Sequence, residues 1–201
     1  MKNLVTTLLI VLFIFFQSCN NSQTIDLKNY RIDKEIRFDS RNKLKGLLSG
    51  KEVEKNWIQE VFENTVITSK NGEFWEGMES KIYSIGKINS ENETNWIIAK
   101  QIFLVDGELT EFYLIRLNSE MNLEEIIYLG NAGEYVQCND YINLTFNSEK
   151  GKVDYFNSCF SGFDEKKDVT LFAIKNIKTE MELKERLIVK RDTLNYIIEE
   201  N

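Results

Sequence analysis

Three cysteines, no histidine and 32 acidic side chains define the chemistry open to this 201-residue chain. Without an imidazole, the chain by itself excludes Ser-His-Asp and Cys-His catalysis, zinc sites that use His, and His-based pH switches. Adjacent carboxylates occur at Glu124-Glu125, Asp164-Glu165 and Glu199-Glu200, but neighbours in a strand point to opposite faces and cannot share a proton. Glycine-rich phosphate loops and calcium loops are absent from the sequence. We therefore predict no catalytic residue, no metal site and no cofactor, and leave open a hydrolytic site assembled from carboxylates on distant strands.

Cys138 and Cys159 flank a segment with the pattern of a β-hairpin. Along residues 141–146 every second side chain is aliphatic or phenylalanine, and the side chains between them carry polar groups. A second extended run follows at 153–156. A turn near residues 149–151 would place the two sulfur atoms within about one residue of opposite each other. In an oxidising compartment this pair predicts a disulfide, worth about 3 kcal/mol for a loop of this size. The alternatives are two reduced core cysteines, or a redox or nucleophilic thiol, which no Cys-x-x-Cys spacing supports.

The N-terminus has the three parts of an export signal. One positive charge, Lys2, precedes an apolar run over residues 8–16, shorter than the ~20 residues that a membrane-spanning helix needs. A small residue, Ser18, then directly precedes Cys19. The segment from Phe16 to Cys19 resembles a bacterial lipobox in the looser form used by some Gram-negative lineages, and departs from the stricter pattern at its first two positions.

The resemblance implies that the Cys19 thiol receives a diacylglycerol and that cleavage occurs just before it. Several acyl chains at ~0.8 kcal/mol per buried CH₂ would hold the protein firmly on a membrane. We therefore divide the chain into a lipoprotein signal peptide (1–18), a tether (19–28) and a single β-rich globular domain (29–201). The uncharged residues 20–23 favour a periplasm-facing location at the outer membrane of the cell envelope. An uncleaved N-terminal membrane helix and a simple secretory signal are the alternatives.

The charge balance is acidic. The chain carries 25 basic and 32 acidic side chains, and removal of residues 1–18 takes away only Lys2, which leaves 24 against 32. A net charge of −8 repels nucleic acid and anionic head groups, and the densest basic runs are interleaved with acidic and apolar residues. We expect no nucleic-acid partner and membrane contact only through the lipid on Cys19.

One helix is predicted over residues 50–63. Ser49 and Glu52 have the spacing of a capping box, and apolar residues from Val53 to Phe62 follow on one stripe. From residue 74 onward the pattern changes to strands.

The strand pattern predicts segments at 81–88, 95–105, 109–117, 124–129, 141–147, 152–158, 168–175, 181–190 and 193–198. Asp106-Gly107 is the strongest hairpin signal, and the strands on either side of it are apolar on both faces and should be central. The predicted fold is α+β dominated by β, a curved antiparallel meander with one or two N-terminal helices packed on it. Partial closure into a barrel is the alternative architecture.

Aromatic side chains are concentrated between residues 57 and 113. Core filling explains them, and lining a curved sheet that holds a hydrophobic or glycan ligand is the functional alternative. They are Trp57, Phe74, Trp75, Tyr83, Trp96, Phe103, Phe112 and Tyr113.

In overall build the chain resembles the small envelope lipoproteins of Gram-negative bacteria. The leading hypothesis is a non-catalytic, lipid-anchored module that binds a protein or a small apolar ligand. A periplasmic hydrolase that uses carboxylates or a Ser/Lys pair is one alternative. A lipid-anchored immunity or inhibitor protein, whose acidic surface matches a basic enzyme, is another.

Overall fold

The computed structural model describes residues 27, 30–41, 52–53, 67–68, 79–90, 92–105, 107–135, 137–183 and 188–200. These residues form ten strands of one sheet. The strands are β1 (Glu35–Asp39), β2 (Ile67–Thr68), β3 (Ser80–Asn89), β4 (Glu93–Leu104), β5 (Gly107–Asn118), β6 (Leu123–Tyr135), β7 (Cys138–Asn147), β8 (Lys150–Asp164), β9 (Val169–Glu182) and β10 (Ile188–Glu200).

The sheet is an antiparallel meander, as the sequence predicted. Strands β3 to β10 are neighbours in chain order, while β1 pairs antiparallel with β7 and β2 pairs parallel with β6. The sheet is open, because β3 and β10 lie at opposite ends of the strand order. The partial closure considered from the sequence is therefore wrong.

The two predicted hairpins form, and each turn lies one residue earlier than the sequence predicted. Leu104 pairs with Gly107, so the two-residue β4–β5 loop begins at Val105, one residue before the predicted Asp106-Gly107 turn, and Gly107 already belongs to β5. In the β7–β8 hairpin, Cys138 lies directly opposite Cys159. The Asn147 side-chain oxygen accepts hydrogen bonds from the backbone N–H groups of Glu149 and Lys150, both at 2.9 Å, and this moves the turn slightly earlier than predicted.

The sheet divides into two layers at the β6–β7 junction. These strands share only three residue pairs, between residues 133–135 and 138–140, and then separate. Gly133 permits the close approach at this point: its φ is +137°, and a Cβ atom there would lie 2.1 Å from the carbonyl oxygen of Glu108.

The central cluster fills the space between the two layers. Its members come from β1 and from β3 to β9, which shows that the two halves of the sheet pack face to face. They include Phe38, Ile97, Phe112, Leu114, Ile127, Ile142, Leu144, Phe146, Val153 and Met181.

A second cluster covers the opposite face of β3 to β6. Trp96, Ile98, Tyr113 and Ile115 are fully buried there, together with Leu27 and Val53 from earlier in the chain. The Trp96 indole N–H donates to the Ser84 hydroxyl at 2.8 Å. Strands β4 and β5 are thus buried on both faces, as the apolar pattern predicted.

Several predictions fall outside the described residues or are corrected by them. The signal peptide, Cys19 and residues 54–63 of the predicted helix lie outside. Glu52, placed by the sequence in the first helical turn, instead forms an antiparallel bridge with Tyr83 of β3. Leu27, in the predicted tether, is buried.

The predicted break between residues 175 and 181 is wrong, because β9 runs unbroken from Val169 to Glu182. The alternating pattern gave a wrong prediction because the side of β9 that the rest of the fold covers changes along the strand. Thr179 and Met181 face the central cluster, whereas Ala173 and Lys175, on the same side of the strand, are exposed and Ile174 on the other side is buried. The chain reverses between Leu183 and Ile188, within the segment predicted as one strand over 181–190.

Candidate functional site

The outer face is the side of β1, β7, β8, β9 and β10 that points away from the central cluster. Along β7, Ile142 and Leu144 enter the central cluster, so Tyr141 and Asn143 lie on the outer face. The strand register aligns polar side chains across this face in two rows. The first row is Asp39, Asn143, Asp154, Lys178 and Asp192, and the second is Arg37, Thr145, Lys152, Glu180 and Lys190.

A stack of three side chains lies at one end of the first row. The rings of Tyr141 and Phe156 are stacked, with centroids 4.4 Å apart and planes 15° from parallel. The guanidinium of Arg41 lies 4.6 Å from the Tyr141 ring centroid, within cation–π distance. Both the backbone N–H of Arg41, at 3.1 Å, and its Nε, at 3.4 Å, point to an Asp39 carboxylate oxygen. The Arg41 side chain is therefore held by contacts on two sides.

The end of β1 positions this stack. The Ser40 hydroxyl oxygen accepts a buried hydrogen bond from the backbone N–H of Ile142, at 2.9 Å. This bond joins residues 102 positions apart in the chain and fixes Arg41 next to β7.

The stack borders an open depression of about 230 Å³. Three cations, Arg41, Lys152 and Lys178, and one carboxylate, Asp154, contribute to its wall. Asp154 Oδ1 is buried and has no hydrogen-bond donor among the described residues. The complete lining is Arg41, Tyr141, Asn143, Lys152, Asp154, Tyr155, Phe156, Asn176 and Lys178.

A second depression of about 250 Å³ shares Lys152 with the first. Its charges are nearly balanced, since Lys150, Lys152 and Lys190 face Glu180 and Glu182. The excess of positive charge is larger in the depression beside Arg41, where three cations meet one carboxylate.

Several buried or half-buried carboxylates elsewhere in the described structure have partners. Glu93 and Glu125 both contact the guanidinium of Arg116, and the Asp140 carboxylate accepts hydrogen bonds from the Tyr155 hydroxyl and the Asn157 amide. These contacts account for the carboxylates as structural groups.

Glu111 and Tyr113 form a further buried pair. The Tyr113 hydroxyl donates to a Glu111 carboxylate oxygen at 2.6 Å. Burial raises the pKa of Tyr113 well above its usual value, and the adjacent Glu111 carboxylate adds to the rise. The phenol is therefore kept as a neutral donor.

Four of the five described aromatic residues singled out from the sequence belong to the core. Trp96, Phe112 and Tyr113 are fully buried, Tyr83 is nearly so, and only Phe103 is exposed. Trp57, Phe74 and Trp75 lie outside the described residues. The ring pair at the depression, Tyr141 and Phe156, was missed, although the alternation in 141–146 already set Tyr141 on the same face as Asn143 and Thr145.

The cysteine pair is brought together. Cys138 and Cys159 are cross-strand neighbours with an S–S distance of 2.07 Å. The disulfide closes the open end of the β7–β8 hairpin, three residues along each strand from Tyr141 and Phe156, or roughly 10 Å from that end of the depression.

No protein-family model fits the sequence, no curated protein is significantly similar to it, and no solved structure matches its fold at a significant level.

The described residues contain no helix of the length and apolarity needed to cross a membrane. They also contain no group of three or more His, Cys, Asp and Glu side chains with the spacing of a metal site. The outer-face depression is therefore the feature from which a function is best argued.

Proposed function

We propose that this protein is a lipid-anchored, non-catalytic binding module of the bacterial cell envelope, and that its outer-face depression binds an acidic sugar. The observation that carries the proposal is Arg41, held over Tyr141 at the edge of a cavity whose Asp154 has a buried, unpartnered oxygen. The Arg41 guanidinium suits an anionic group of the ligand, and the Asp154 carboxylate suits a ligand hydroxyl.

The local charge supports an anionic ligand group. The chain as a whole has a net charge of −7, yet the wall of the depression carries three cations against one carboxylate. A planar guanidinium can donate two parallel hydrogen bonds to a carboxylate or phosphate. Because Arg41 is already oriented by Asp39 and Tyr141, a ligand loses less side-chain entropy when it binds.

The remaining groups support a hydroxyl-rich ligand. Asp154 Oδ1 needs a donor, and the amides of Asn143 and Asn176 offer both donors and acceptors in the same wall. A sugar that carries an acidic group supplies the anion and the hydroxyls in one molecule. The polarity of this wall favours such a ligand over the small apolar ligand considered from the sequence.

Binding of two monosaccharides tests the ligand class. The full chain, solubilised in mild detergent, is titrated with N-acetylmuramic acid and with N-acetylglucosamine, which lacks the carboxylate. We expect the acidic sugar to bind at least about tenfold more tightly, since a charge-assisted hydrogen bond contributes about 1.5–3 kcal/mol.

Two substitutions locate the site. Arg41→Ala should weaken binding of the acidic sugar by about tenfold or more. Asp154→Asn should weaken the binding of both sugars. Arg31→Ala is the matched control, because Arg31 is exposed and pairs with Asp33 away from the depression. Equal affinity for the two sugars, or equal effects of the two arginine substitutions, would contradict the proposal.

Membrane anchoring is the second part of the proposal. It rests on the lipobox-like segment ending at Cys19, and the disulfide supports an oxidising compartment. Cys19→Ser should release the protein into the soluble fraction of lysed cells, whereas Ser22→Ala, close by, should leave it in the membrane fraction. Continued sedimentation of the Cys19→Ser protein with membranes would contradict a lipid anchor.

A further inference from the structure

Strand β10 is a long edge without cover. Among the described residues it pairs with β9 alone, and every residue from 189 to 200 except Ile198 is exposed. The opposite edge differs, because β3 is bridged by Ile32 and by Glu52. An edge strand of this length presents a row of free N–H and C=O groups that can pair with another strand.

The composition of β10 favours pairing rather than protection. Its centre, residues 193–198, reads Thr-Leu-Asn-Tyr-Ile-Ile and has no charge. Leu194 is 61% exposed and Ile197 is 62% exposed. Such uncharged runs of strand-forming residues are the segments that associate when they lie at an edge.

The two ends of β10 carry net charges of opposite sign. Lys190, Arg191 and Asp192, together +1, precede the uncharged centre, and Glu199 and Glu200 follow it. Two copies aligned in opposite directions therefore place cations opposite carboxylates.

We propose that β10 pairs antiparallel with β10 of a second copy of this chain, about a two-fold axis at Asn195. This register sets Lys190 opposite Glu200 and Arg191 opposite Glu199 of the partner subunit, and the two-fold symmetry repeats both ion pairs. Leu194 lies beside Tyr196 of the partner subunit, and about ten main-chain hydrogen bonds join the strands.

Geometry and charge together select this register. Only every second residue of β10 points its backbone N–H and C=O groups away from β9. Two such edges can therefore form hydrogen bonds only when these outward-pointing residues face each other, so the register can shift only in steps of two residues. A shift by one such step in either direction removes both ion pairs, and one of the shifts sets Asp192 opposite Glu200. Parallel pairing in register would bring like charges together at both ends.

The inference makes no use of the outer-face depression. It concerns a different strand edge, and it holds or fails whether or not an acidic sugar binds.

Cysteine cross-linking in intact cells that express the full chain tests the register. Asn195→Cys places a thiol opposite itself and should form a covalent dimer on mild oxidation. Thr193→Cys alone should not, because its copies are separated by about 13 Å along the strands, beyond disulfide reach. Thr193→Cys mixed with Ile197→Cys should cross-link, since these residues face each other.

The unsubstituted chain controls for its own cysteines. Failure of Asn195→Cys to cross-link would overturn the proposal. Equal cross-linking of all three single variants would also overturn it, because that result indicates random collision.

Charge exchange tests the pairing without new thiols. Lys190→Glu with Arg191→Glu, and separately Glu199→Lys with Glu200→Lys, should each weaken self-association at least about tenfold in sedimentation experiments on the detergent-solubilised chain. The two proteins mixed together should form a one-to-one dimer, because each then meets opposite charges.

Glu120→Lys with Glu124→Lys, at the exposed β5–β6 end of the sheet, makes the same change of net charge as Glu199→Lys with Glu200→Lys and should leave association unchanged. Melting curves verify that every variant is folded, since Glu199 also contacts Lys167. A mixture that stays monomeric while each variant is folded would overturn the proposal.

Discussion

Strands β5 and β10 are of nearly equal length, yet they lie in opposite environments. From Leu109 to Leu117 every residue of β5 is buried, whereas almost every residue of β10 is exposed. Both strands contain isoleucine, leucine and tyrosine, so composition does not cause the difference. Position in the meander does: β5 lies between the central and second clusters, and β10 has no layer on either side among the described residues. The buried contacts that stabilise the fold are therefore concentrated around β5, and the exposed surface available for the proposed recognition lies at β10.

The largest expected effect compares two phenylalanines. Phe112 is fully buried in the central cluster and contacts the Phe38 ring, whereas Phe163 near the end of β8 is 52% exposed. Phe112→Ala should lower the free energy of unfolding by about 3–5 kcal/mol through cavity formation. Phe163→Ala should lower it by less than about 1 kcal/mol. Urea unfolding measures both, and similar costs would contradict the division between the two regions.

Loss of the disulfide should have the next largest effect. The bond closes a 21-residue separation between β7, which packs in the core, and β8, which extends beyond it. Cys138→Ser with Cys159→Ser should cost about 3 kcal/mol in unfolding free energy. Hydrogen exchange should show the largest loss of protection in β8 to β10. A loss spread evenly over β4 and β5 would argue against separate regions.

Two glycines with similar backbone angles make a finer comparison. Gly133 and Gly162 both have positive φ, at +137° and +153°, so alanine is strained at either position. Only Gly133 is also crowded, since nothing lies within 4 Å of a Cβ atom built at Gly162. Gly133→Ala should cost about 1–3 kcal/mol more than Gly162→Ala, from overpacking. Equal destabilisation in thermal melts would show that the β6–β7 junction can relax.

The smallest effect is on the pH dependence of stability. The pKa of Tyr113 is raised in the folded state, so its contribution is complete below about pH 10 and is lost as the pH rises toward the raised value. Tyr113→Phe should make the decline of unfolding free energy above about pH 10 less steep. Identical slopes for the unsubstituted chain and Tyr113→Phe would contradict a buried titrating phenol.

Local patterns in the sequence were sufficient to predict the meander. The Asp106-Gly107 signal and the apolar strands beside it predicted the β4–β5 hairpin, and counting across a turn predicted the cysteine pairing to within about a residue. Both turns lie one residue earlier than predicted. The end of β9 was not predicted, because alternation indicates which residues share a face but not which face is covered. Thr179 is buried and Lys175 exposed on the same side of one strand.

The depression was harder to predict because its parts are distant in sequence. Arg41 follows β1, while Tyr141 and Asp154 belong to β7 and β8. The register between β1 and β7 brings them together, and no local pattern specifies it. One signal was available in the sequence. Tyr141 alternates with the apolar residues of its strand, so it lies on the face opposite to the buried side chains.

The pairing of β1 with β7 also bears on the order of folding. Strands β3 to β10 can pair successively with the strand just before them, and such local contacts form fast. β1 must close a loop of more than 100 residues, from Asp39 to Asn143, before it gains any contact with β7. We therefore expect its docking to be a late kinetic step. Because Arg41 directly follows β1, the proposed binding surface would form only when folding is nearly complete.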